Sequence, residues 1–414
     1  MAKEYKRWQV ESTQNALKNR RAVAISGARQ TGKTTITRQI NSIDGIFLNL
    51  DDASMLKAAE DDPKEFVKNL SKEKTMIIDE IQKAPSLISE IKLAVDKNNR
   101  PGQYLITGSA NIQTLARISD SLAGRIKHIR LRPLATGEIM GKRPAFLQCA
   151  FSGKFPMQIK GYDKSKIIEI ALKGGYPEAL RINNEKGRRE WHTDYLNSLV
   201  TKDLMEIENV RRLDSVRDLL KIMAGWSSKY IDKNQITCSL EISRATLDTY
   251  LNALESLFIL ERVAPWVRTD YELVGKRSKI YMTDTGLMAS LLKWKKENLP
   301  LDADRLGKLM ETFVFQEIAA QIDLDSDYSL YQYRDAKKRE IDFLVEKEGE
   351  GLAGIEVKAS SSVSKSDFAP QIWFKENIVK GKYPYRGIVL YTGENTLSFG
   401  DGMLAVPIAA LWAE

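Results

Sequence analysis

The chain has 414 residues, enough for about three domains, and its 43% hydrophobic and 29% charged residues exclude a disordered protein. Two Cys and two His exclude a disulfide framework and the ligand spacing of a zinc finger. The net charge of +8 is uneven, with +11 in residues 1–160, +4 in 161–296 and −7 in 297–414, so we expect different functions at the two ends.

The first region alternates predicted strands with helical stretches. Apolar runs of strand length lie at 22–26, 45–50, 74–79, 103–107 and 126–131. Buried parallel strands have this pattern because helices cover both faces of the sheet. We therefore predict an α/β fold with a parallel sheet in residues 1–140.

A phosphate-binding motif follows the first predicted strand. The segment Gly27-Ala28-Arg29-Gln30-Thr31-Gly32-Lys33-Thr34-Thr35 fits G-x-x-x-x-G-K-[ST], and a helix is predicted over 34–40. Glycines let backbone N–H groups face phosphate oxygens, and the helix N-terminus favours an anion. Lys33 would reach the β- and γ-phosphates and Thr34 would ligate Mg²⁺. The motif predicts ATP and Mg²⁺ as cofactors.

Two acids end the third predicted strand. Asp79 can hold the Mg²⁺ shell and Glu80 can polarise the attacking water, as a catalytic base does. By itself, an apolar run followed by Asp-Glu is explained equally well by a strand whose last residues cap the next helix. The phosphate-binding motif upstream favours the catalytic interpretation.

Polar residues also lie near the fourth and fifth predicted strands. Ser109 or Asn111 could orient the attacking water, although a helix N-cap explains them as well. Arg125 could contact a phosphate in its own subunit, or act as an arginine finger across the interface of a homo-oligomer. The alternative for Arg125 is a surface arginine.

The order of motifs resembles a known family. GARQTGKTT, FLNLDD, IIDEIQKAP, LITGSAN, SLAGR and LRPLATGE resemble the AAA+-type ATPases of the AAA_14 family. GGYPEAL, TLDTYLNALESLFIL, KIYMTDTGL, EIDFLVE and GIEVKAS resemble the partner domain DUF4143. The resemblance covers residues 15–412 and implies a P-loop ATPase core (1–140) with AAA+-like strand order and a helical lid. The stretch from Gly141 to Gly161 is rich in Gly, Pro and Lys and is predicted to be a connector, so that connector and lid together span residues 141–212. In the family's block after the second strand, Asp51 and Asp52 could border the Mg²⁺ site or be solvated loop acids.

The middle region has the pattern of a winged helix (213–296). Predicted helices at 235–242 and 246–257 precede a ribbon over 259–283, whose basic residues would make the wing: Arg262, Arg268, Lys276, Arg277 and Lys279. The second helix could read DNA in the major groove. Its exposed positions are close to neutral, which favours a structural or subunit-contact role over DNA binding.

The last region (297–414) contains a second candidate site. After a helix over 305–322, strands are predicted at 328–334, 340–346 and 354–358. The strand period of two puts Glu356 and Lys358 on one face, and a hairpin can bring Asp342 beside them. With Glu311 this resembles the D…E-x-K pattern of PD-(D/E)xK nucleases. The resemblance implies Mg²⁺ bound by the carboxylates, with Lys358 either stabilising charge or positioning the attacking water.

Three functions remain open on the sequence. The first is an ATP-hydrolysing protein that couples nucleotide state to its winged-helix and nuclease-like module, or to an unidentified protein partner. The second is an ATP-gated, Mg²⁺-dependent DNA or RNA endonuclease, and the third a non-catalytic nucleotide-dependent scaffold or regulator. We expect a cytoplasmic protein without a membrane partner, because no apolar run approaches the roughly 18 residues of a membrane span and the start lacks a signal peptide's apolar core.

Overall fold

The chain forms two compact units. The computed structural model describes residues 4–40, 45–68, 74–109, 124–204, 213–267 and 276–413; Asn111 and Arg268 of the sequence predictions lie outside these ranges. The first unit comprises residues 1–133 with 255–259, and the second comprises 134–254 with 260–414. Among the described residues, no helix has the length and apolar character to cross a membrane.

The first unit is built on a parallel sheet. In chain order its described elements are α1 (Gln9–Asn19), β1 (Ala22–Ser26), α2 (Lys33–Ile40), β2 (Gly45–Asn49), α3 (Ala53–Asp61), α4 (Pro63–Lys68), β3 (Thr75–Asp79), α5 (Ser86–Lys97), β4 (Tyr104–Gly108) and β5 (Ile126–Arg130). The strand order is β2-β3-β4-β1-β5, and every pair in it is parallel. The α/β prediction and its five strands are thereby confirmed, each strand within one residue.

Side chains alternate between the two faces of this sheet. Val23 and Ile25 of β1 pack in one cluster with Ile36 of α2. Ala22 and Ala24 face the other cluster, which draws on α3, α4 and α5. Both faces are buried because a strand with period two sends apolar residues to both sides. The packed sheet therefore holds its carboxyl edge in a fixed position. Asp79, at the end of β3, lies at this edge.

The second unit is helical and then mixed. Its described helices are α6 (Thr136–Met140), α7 (Phe146–Ser152), α8 (Lys164–Lys173), α9 (Pro177–Arg181), α10 (Glu185–Ser198), α11 (Leu213–Gly225), α12 (Lys233–Leu240), α13 (Arg244–Ser256, whose last two residues group with the first unit), α14 (Thr285–Leu291), α15 (Ala303–Ile322) and α16 (Ala369–Phe374). Its strands are β6 (Lys229–Tyr230), β7 (Leu260–Val263), β8 (Lys279–Met282), β9 (Tyr328–Arg334), β10 (Glu340–Lys347), β11 (Gly351–Lys358), β12 (Tyr385–Tyr391), β13 (Leu397–Ser398) and β14 (Met403–Pro407).

These strands form two sheets. The larger has the order β13-β14-β12-β11-β10-β9, and the smaller has the order β6-β8-β7. The predicted hairpin is present: β10 and β11 pair antiparallel from Lys347↔Gly351 to Phe343↔Ile355. The register of β10 on β9 shifts between Ile341 and Leu344. Such irregularities re-aim a side chain, and this one contains Asp342.

Two features of the second unit differ from the sequence predictions. The stretch from Gly141 to Gly161, expected to be a connector, contains α7, whose Phe146, Leu147 and Ala150 are buried. Its Gly, Pro and Lys flanks obscure a short apolar helix. The strands β12 and β14 were not predicted either, and they extend the larger sheet beyond β11 through parallel pairs.

A buried glutamate joins α15 to the start of α6. Glu317 is fully buried and accepts hydrogen bonds from Thr136 N at 2.9 Å and Thr136 Oγ1 at 2.8 Å. Burial raises the pKa of this carboxyl to about 8. The folded chain therefore holds a proton that the unfolded chain has released above pH 4.5. The contribution of Glu317 to stability is full below that pH and is lost as pH rises through about 8.

We expect Glu317→Gln to flatten the pH dependence of stability. In the wild type, this group lowers the free energy of unfolding by about 1.4 kcal/mol per pH unit between its unfolded and folded pKa values. Glutamine keeps the carbonyl acceptor for Thr136 and does not titrate. Tm would be measured from pH 5.5 to 8.5, with Glu348→Gln at an exposed position as the control. Identical pH slopes for wild type and Glu317→Gln would contradict the assignment.

Candidate nucleotide-binding site and a buried charge cluster

The phosphate-binding motif forms a tight loop between β1 and α2. Gln30 and Gly32 have positive φ angles of 61° and 96°. A Cβ on Gly27 would lie 2.1 Å from the Leu131 carbonyl oxygen, so only glycine fits there. The loop thus has the close wrap that directs backbone N–H groups inward.

A buried arginine holds this loop from outside. Arg7 is only 4% exposed, and its Nη1 donates to Thr31 O at 2.6 Å while its Nη2 donates to Arg132 O at 2.7 Å. The guanidinium ties the loop to the chain after β5. Sequence reasoning missed Arg7 because an arginine before a first helix is usually a surface residue.

Lys33 and Thr34, which end the G-x-x-x-x-G-K-[ST] motif, have different partners. The Lys33 Nζ donates to Gly27 O at 3.1 Å and Ala28 O at 3.0 Å, and so lies inside the loop. Thr34 Oγ1 donates to Asp79 Oδ2 at 2.7 Å. A hydroxyl and a carboxylate in contact are the oxygen donors that Mg²⁺ prefers. These residues fit the cofactor that the motif predicts.

Thr107 connects the neighbouring strands. It lies on β4, between β1 and β3, where its Oγ1 donates to Asp79 Oδ1 and accepts from Glu80 N at 3.2 Å. Asp79 is 2% exposed, so both of its oxygens are held by hydroxyls. Sequence reasoning passed over Thr107, and the only available signal was a hydroxyl at the carboxyl end of an apolar strand.

Glu80 and Ser109 are joined by a residue that the sequence analysis did not single out. Gln82 Nε2 donates to Glu80 Oε2 and to Ser109 Oγ, the latter at 2.8 Å. Glu80 has a positive φ of 58°, an uncommon conformation for a residue with a side chain. Such conformations concentrate at functional sites, where contacts hold them. The structure therefore brings Glu80 and Ser109 together at the carboxyl edge of the sheet.

Arg125 does not join this group. It precedes β5, which runs parallel to β1 with Ile126 opposite Ala22 and Arg130 opposite Ser26. Arg125 therefore lies at the amino edge of the sheet, a strand length of roughly 13 Å from the loop edge at about 3.3 Å per residue. Its guanidinium pairs with Asp96 of α5. A role across a subunit interface stays a prediction.

The acids after β2 have structural partners. Asp52 caps α3, where its Oδ1 accepts from Ser54 N at 2.8 Å and Met55 N at 3.2 Å. These hydrogen bonds lower the pKa of Asp52, and the bond from the Ser54 side chain contributes most. Asp51 forms an ion pair with Lys83 at 2.7 Å. These contacts favour the loop-acid interpretation of both residues.

In the second unit, the hairpin brings the predicted nuclease-like residues together. Asp342 Oδ2 accepts from Val357 N at 3.0 Å, and Lys358 Nζ donates to Glu356 Oε1 at 3.0 Å. Glu356 Oε2 is buried and has no hydrogen-bond partner within the described part of the chain. The strand period and the hairpin therefore produce the expected neighbourhood.

Lys279, which the sequence analysis placed in the basic wing, belongs to this cluster. It is 1% exposed, and its Nζ lies 2.8 Å from Glu311 Oε1, 3.1 Å from Asp342 Oδ1 and 2.5 Å from Glu340 Oε1. Glu311 thus meets Asp342 through an ammonium. The available signal was the apolar run Ile280–Met282, which makes β8 a buried strand rather than an exposed one.

Burial and neighbouring charges together set the pKa values of this cluster. Burial first, and then the Asp342 charge, raise the pKa of Glu311 to about 7 and that of Glu356 to about 8, against the lowering effect of the neighbouring lysines. Burial lowers the pKa of Lys279, but Tyr281 and the three carboxylates outweigh it, and the net direction is well upward. The ammonium therefore stays charged.

Family models match three segments of the chain. Residues 19–140 match AAA_14, described as an AAA domain; residues 164–298 match DUF8612 and residues 306–411 match DUF4143, both domains of unknown function. The expectation that DUF4143 includes the middle motifs is corrected, because GGYPEAL, TLDTYLNALESLFIL and KIYMTDTGL fall in the DUF8612 match. The matches support an AAA-type ATPase domain in the first unit.

Relatives match over most of the chain. An uncharacterized protein of Mycobacterium tuberculosis is 27% identical over 403 residues, which cover 95% of this chain and 81% of that protein. One from Methanocaldococcus jannaschii is 25% identical over 336 residues, covering 78% and 71%.

Solved structures show weaker likeness. The RuvB Holliday junction branch migration motor of Thermotoga maritima is 17% identical with a TM-score of 0.30, covering 63% of this chain and 90% of that one. A Signal Transduction ATPase with Numerous Domains from Pyrococcus horikoshii is 13% identical with a TM-score of 0.26, covering 78% and 46%.

Proposed function

We propose that this protein binds ATP with Mg²⁺ and hydrolyses it at the carboxyl edge of the parallel sheet. The observation that carries the proposal is the unbroken set of hydrogen bonds from Thr34 through Asp79 to Thr107. It links the phosphate-binding loop to β3, which ends in the two acids, and to the neighbouring strand β4. The match of residues 19–140 to an AAA domain supports the same function.

Each side chain has a proposed role. The Lys33 ammonium exchanges its two loop carbonyls for phosphate oxygens, and Thr34 and Asp79 hold Mg²⁺, which neutralises phosphate charge when bound. Glu80 accepts a proton from the attacking water as the general base. Ser109 and Gln82 orient that water, because Gln82 contacts both Glu80 and Ser109.

We further propose that nucleotide state is coupled to the second unit. In this proposal residues 141–212 are the connector and helical lid, 213–296 the winged-helix-like part, and 297–414 the PD-(D/E)xK-like part. The paired ribbon of β7 and β8 after α13 supports the winged-helix assignment. The β10–β11 hairpin with Asp342 and Glu356 supports the other.

Phosphate release tests the hydrolysis. We expect turnover of ATP that requires Mg²⁺ and persists in Lys358→Ala, since Lys358 lies in the second unit. A turnover per subunit that rises with protein concentration would support Arg125 acting across an interface, and a further rise with DNA would support a nucleic-acid partner. No release at any protein concentration would contradict the proposal and favour a non-catalytic nucleotide-dependent scaffold.

Hydrogen exchange tests the coupling. The exchange of residues 279–358 would be compared in nucleotide-free protein and with a non-hydrolysable ATP analogue. Coupling predicts a nucleotide-dependent change there in the wild type. Unchanged exchange in this segment, with changed exchange in the phosphate-binding loop, would contradict it.

A further inference from the structure

The buried charge cluster of the second unit has an unusual composition for a metal site. Its members are Lys279, Glu311, Glu340, Asp342, Glu356 and Lys358. The resemblance to PD-(D/E)xK nucleases implies a divalent cation between Glu311, Asp342 and Glu356. Among the residues that the structure describes, however, no group of three or more His, Cys, Asp or Glu side chains has an arrangement that could hold a metal ion.

The Lys279 ammonium accounts for this mismatch. An ammonium has three N–H donors, and three carboxylates lie within 3.1 Å of Nζ: Glu311, Glu340 and Asp342. A cation is therefore already present among the oxygens that would ligate a metal. One oxygen on each of two ligand candidates is also engaged elsewhere, since Asp342 Oδ2 accepts from Val357 N and Glu356 Oε1 accepts from Lys358 Nζ. Among the buried oxygens of the cluster, Glu356 Oε2 alone lacks a partner within the described residues, and a single oxygen does not make a metal site.

The position of Lys279 is set by its strand. Lys279 and Tyr281 lie two residues apart on β8 and so point to the same face. Tyr281 donates to Glu311 Oε1 at 2.7 Å and stacks on Phe315 with ring centroids 4.5 Å apart. Glu311 is thus held by two side chains of one strand. This two-point contact fixes the ammonium in the cluster rather than leaving it to reach in from solvent.

We infer that the Lys279 ammonium takes the place of a divalent cation among these carboxylates, so that in this conformation the cluster does not bind Mg²⁺. The cluster then joins β8 to α15 and β10 through charge, and Lys279 must withdraw before a metal can enter. The inference does not depend on ATP hydrolysis, and its test uses nucleotide-free protein.

The test is Mn²⁺ binding, measured by titration calorimetry and by electron paramagnetic resonance of free Mn²⁺. We expect nucleotide-free wild type and Asp342→Asn to bind Mn²⁺ alike, with no site at the cluster. Lys279→Met, which keeps the chain length and removes the charge, should gain one Mn²⁺ site that binds at least tenfold more tightly than any Mn²⁺ binding of the wild type. Lys279→Met combined with Asp342→Asn should lose that site. Lys276→Met, at an exposed lysine of the same segment, is the matched control.

Two results would overturn the inference. One is Mn²⁺ binding by the wild type that Asp342→Asn removes, because the metal would then enter with Lys279 in place. The other is a folded Lys279→Met that gains no site. If Lys279→Met folds only when Mn²⁺ is present, that rescue supports the inference. If Lys279→Met does not fold at all, the Mn²⁺ binding of wild type and Asp342→Asn still tests the inference, because equal binding supports it and a loss in Asp342→Asn contradicts it.

Discussion

Replacing Glu80 by glutamine is expected to lower ATP turnover by about 10²- to 10⁴-fold, the usual contribution of a general base. Nucleotide affinity should change little, because Glu80 is not part of the phosphate-binding loop. Glutamine has the same size and can keep a contact with Gln82, but it cannot accept a proton from water. The measurements are kcat from phosphate release and Kd from titration calorimetry.

The control for this result is Glu60→Gln, which changes an exposed glutamate on α3 of the same unit. It should have wild-type turnover. If Glu80→Gln turns over ATP at the wild-type rate, the base has been misassigned. If it loses both turnover and binding, the strained backbone at Glu80, rather than its carboxylate, is what the substitution disturbs.

Replacing Lys33 by alanine should weaken ATP binding and abolish measurable turnover. A charge-assisted hydrogen bond contributes about 1.5–3 kcal/mol, so the expected loss in affinity is about 10- to 100-fold. Lys33 is 4% exposed and its ammonium lies among carbonyls of the loop, where it is already oriented for an anion. Calorimetry with ATP and Mg²⁺ measures the affinity.

Lys57→Ala, at an exposed position on α3, is the matched control and should bind ATP like the wild type. Circular dichroism would show that Lys33→Ala is folded. Wild-type affinity in folded Lys33→Ala would mean that phosphates do not bind in the loop. That result would contradict the nucleotide site as a whole.

Much of the first unit was predictable because its signals are local. Strand lengths follow from apolar runs, and the phosphate-binding loop follows from glycines whose backbone conformation few other residues adopt. Dependence on local signals also explains why α7 of the second unit was not predicted. The flanks of α7 contain Gly, Pro and Lys, and these residues obscure its apolar positions.

The candidate site was predictable only in part. Five of its residues stand in motifs that can be recognised along the chain: Lys33, Thr34, Asp79, Glu80 and Ser109. Thr107 and Gln82 have no such motif, and their importance comes from β4 lying between β1 and β3. Strand order is a property of tertiary packing, since any of several orders satisfies the same apolar pattern.

A parallel α/β unit with a phosphate-binding loop and paired acids follows from the chain alone, because backbone conformation and hydrophobic periodicity are encoded within a few residues. Two positions required the folded structure: Arg125 lies at the edge of the sheet away from the loop, and Lys279 is buried among carboxylates. Both outcomes depend on contacts between residues distant in the chain: the parallel register of β5 on β1, and the pairing of Lys279 with Glu311 and Asp342. A charge is exposed or buried according to what packs against it, which the local sequence does not specify.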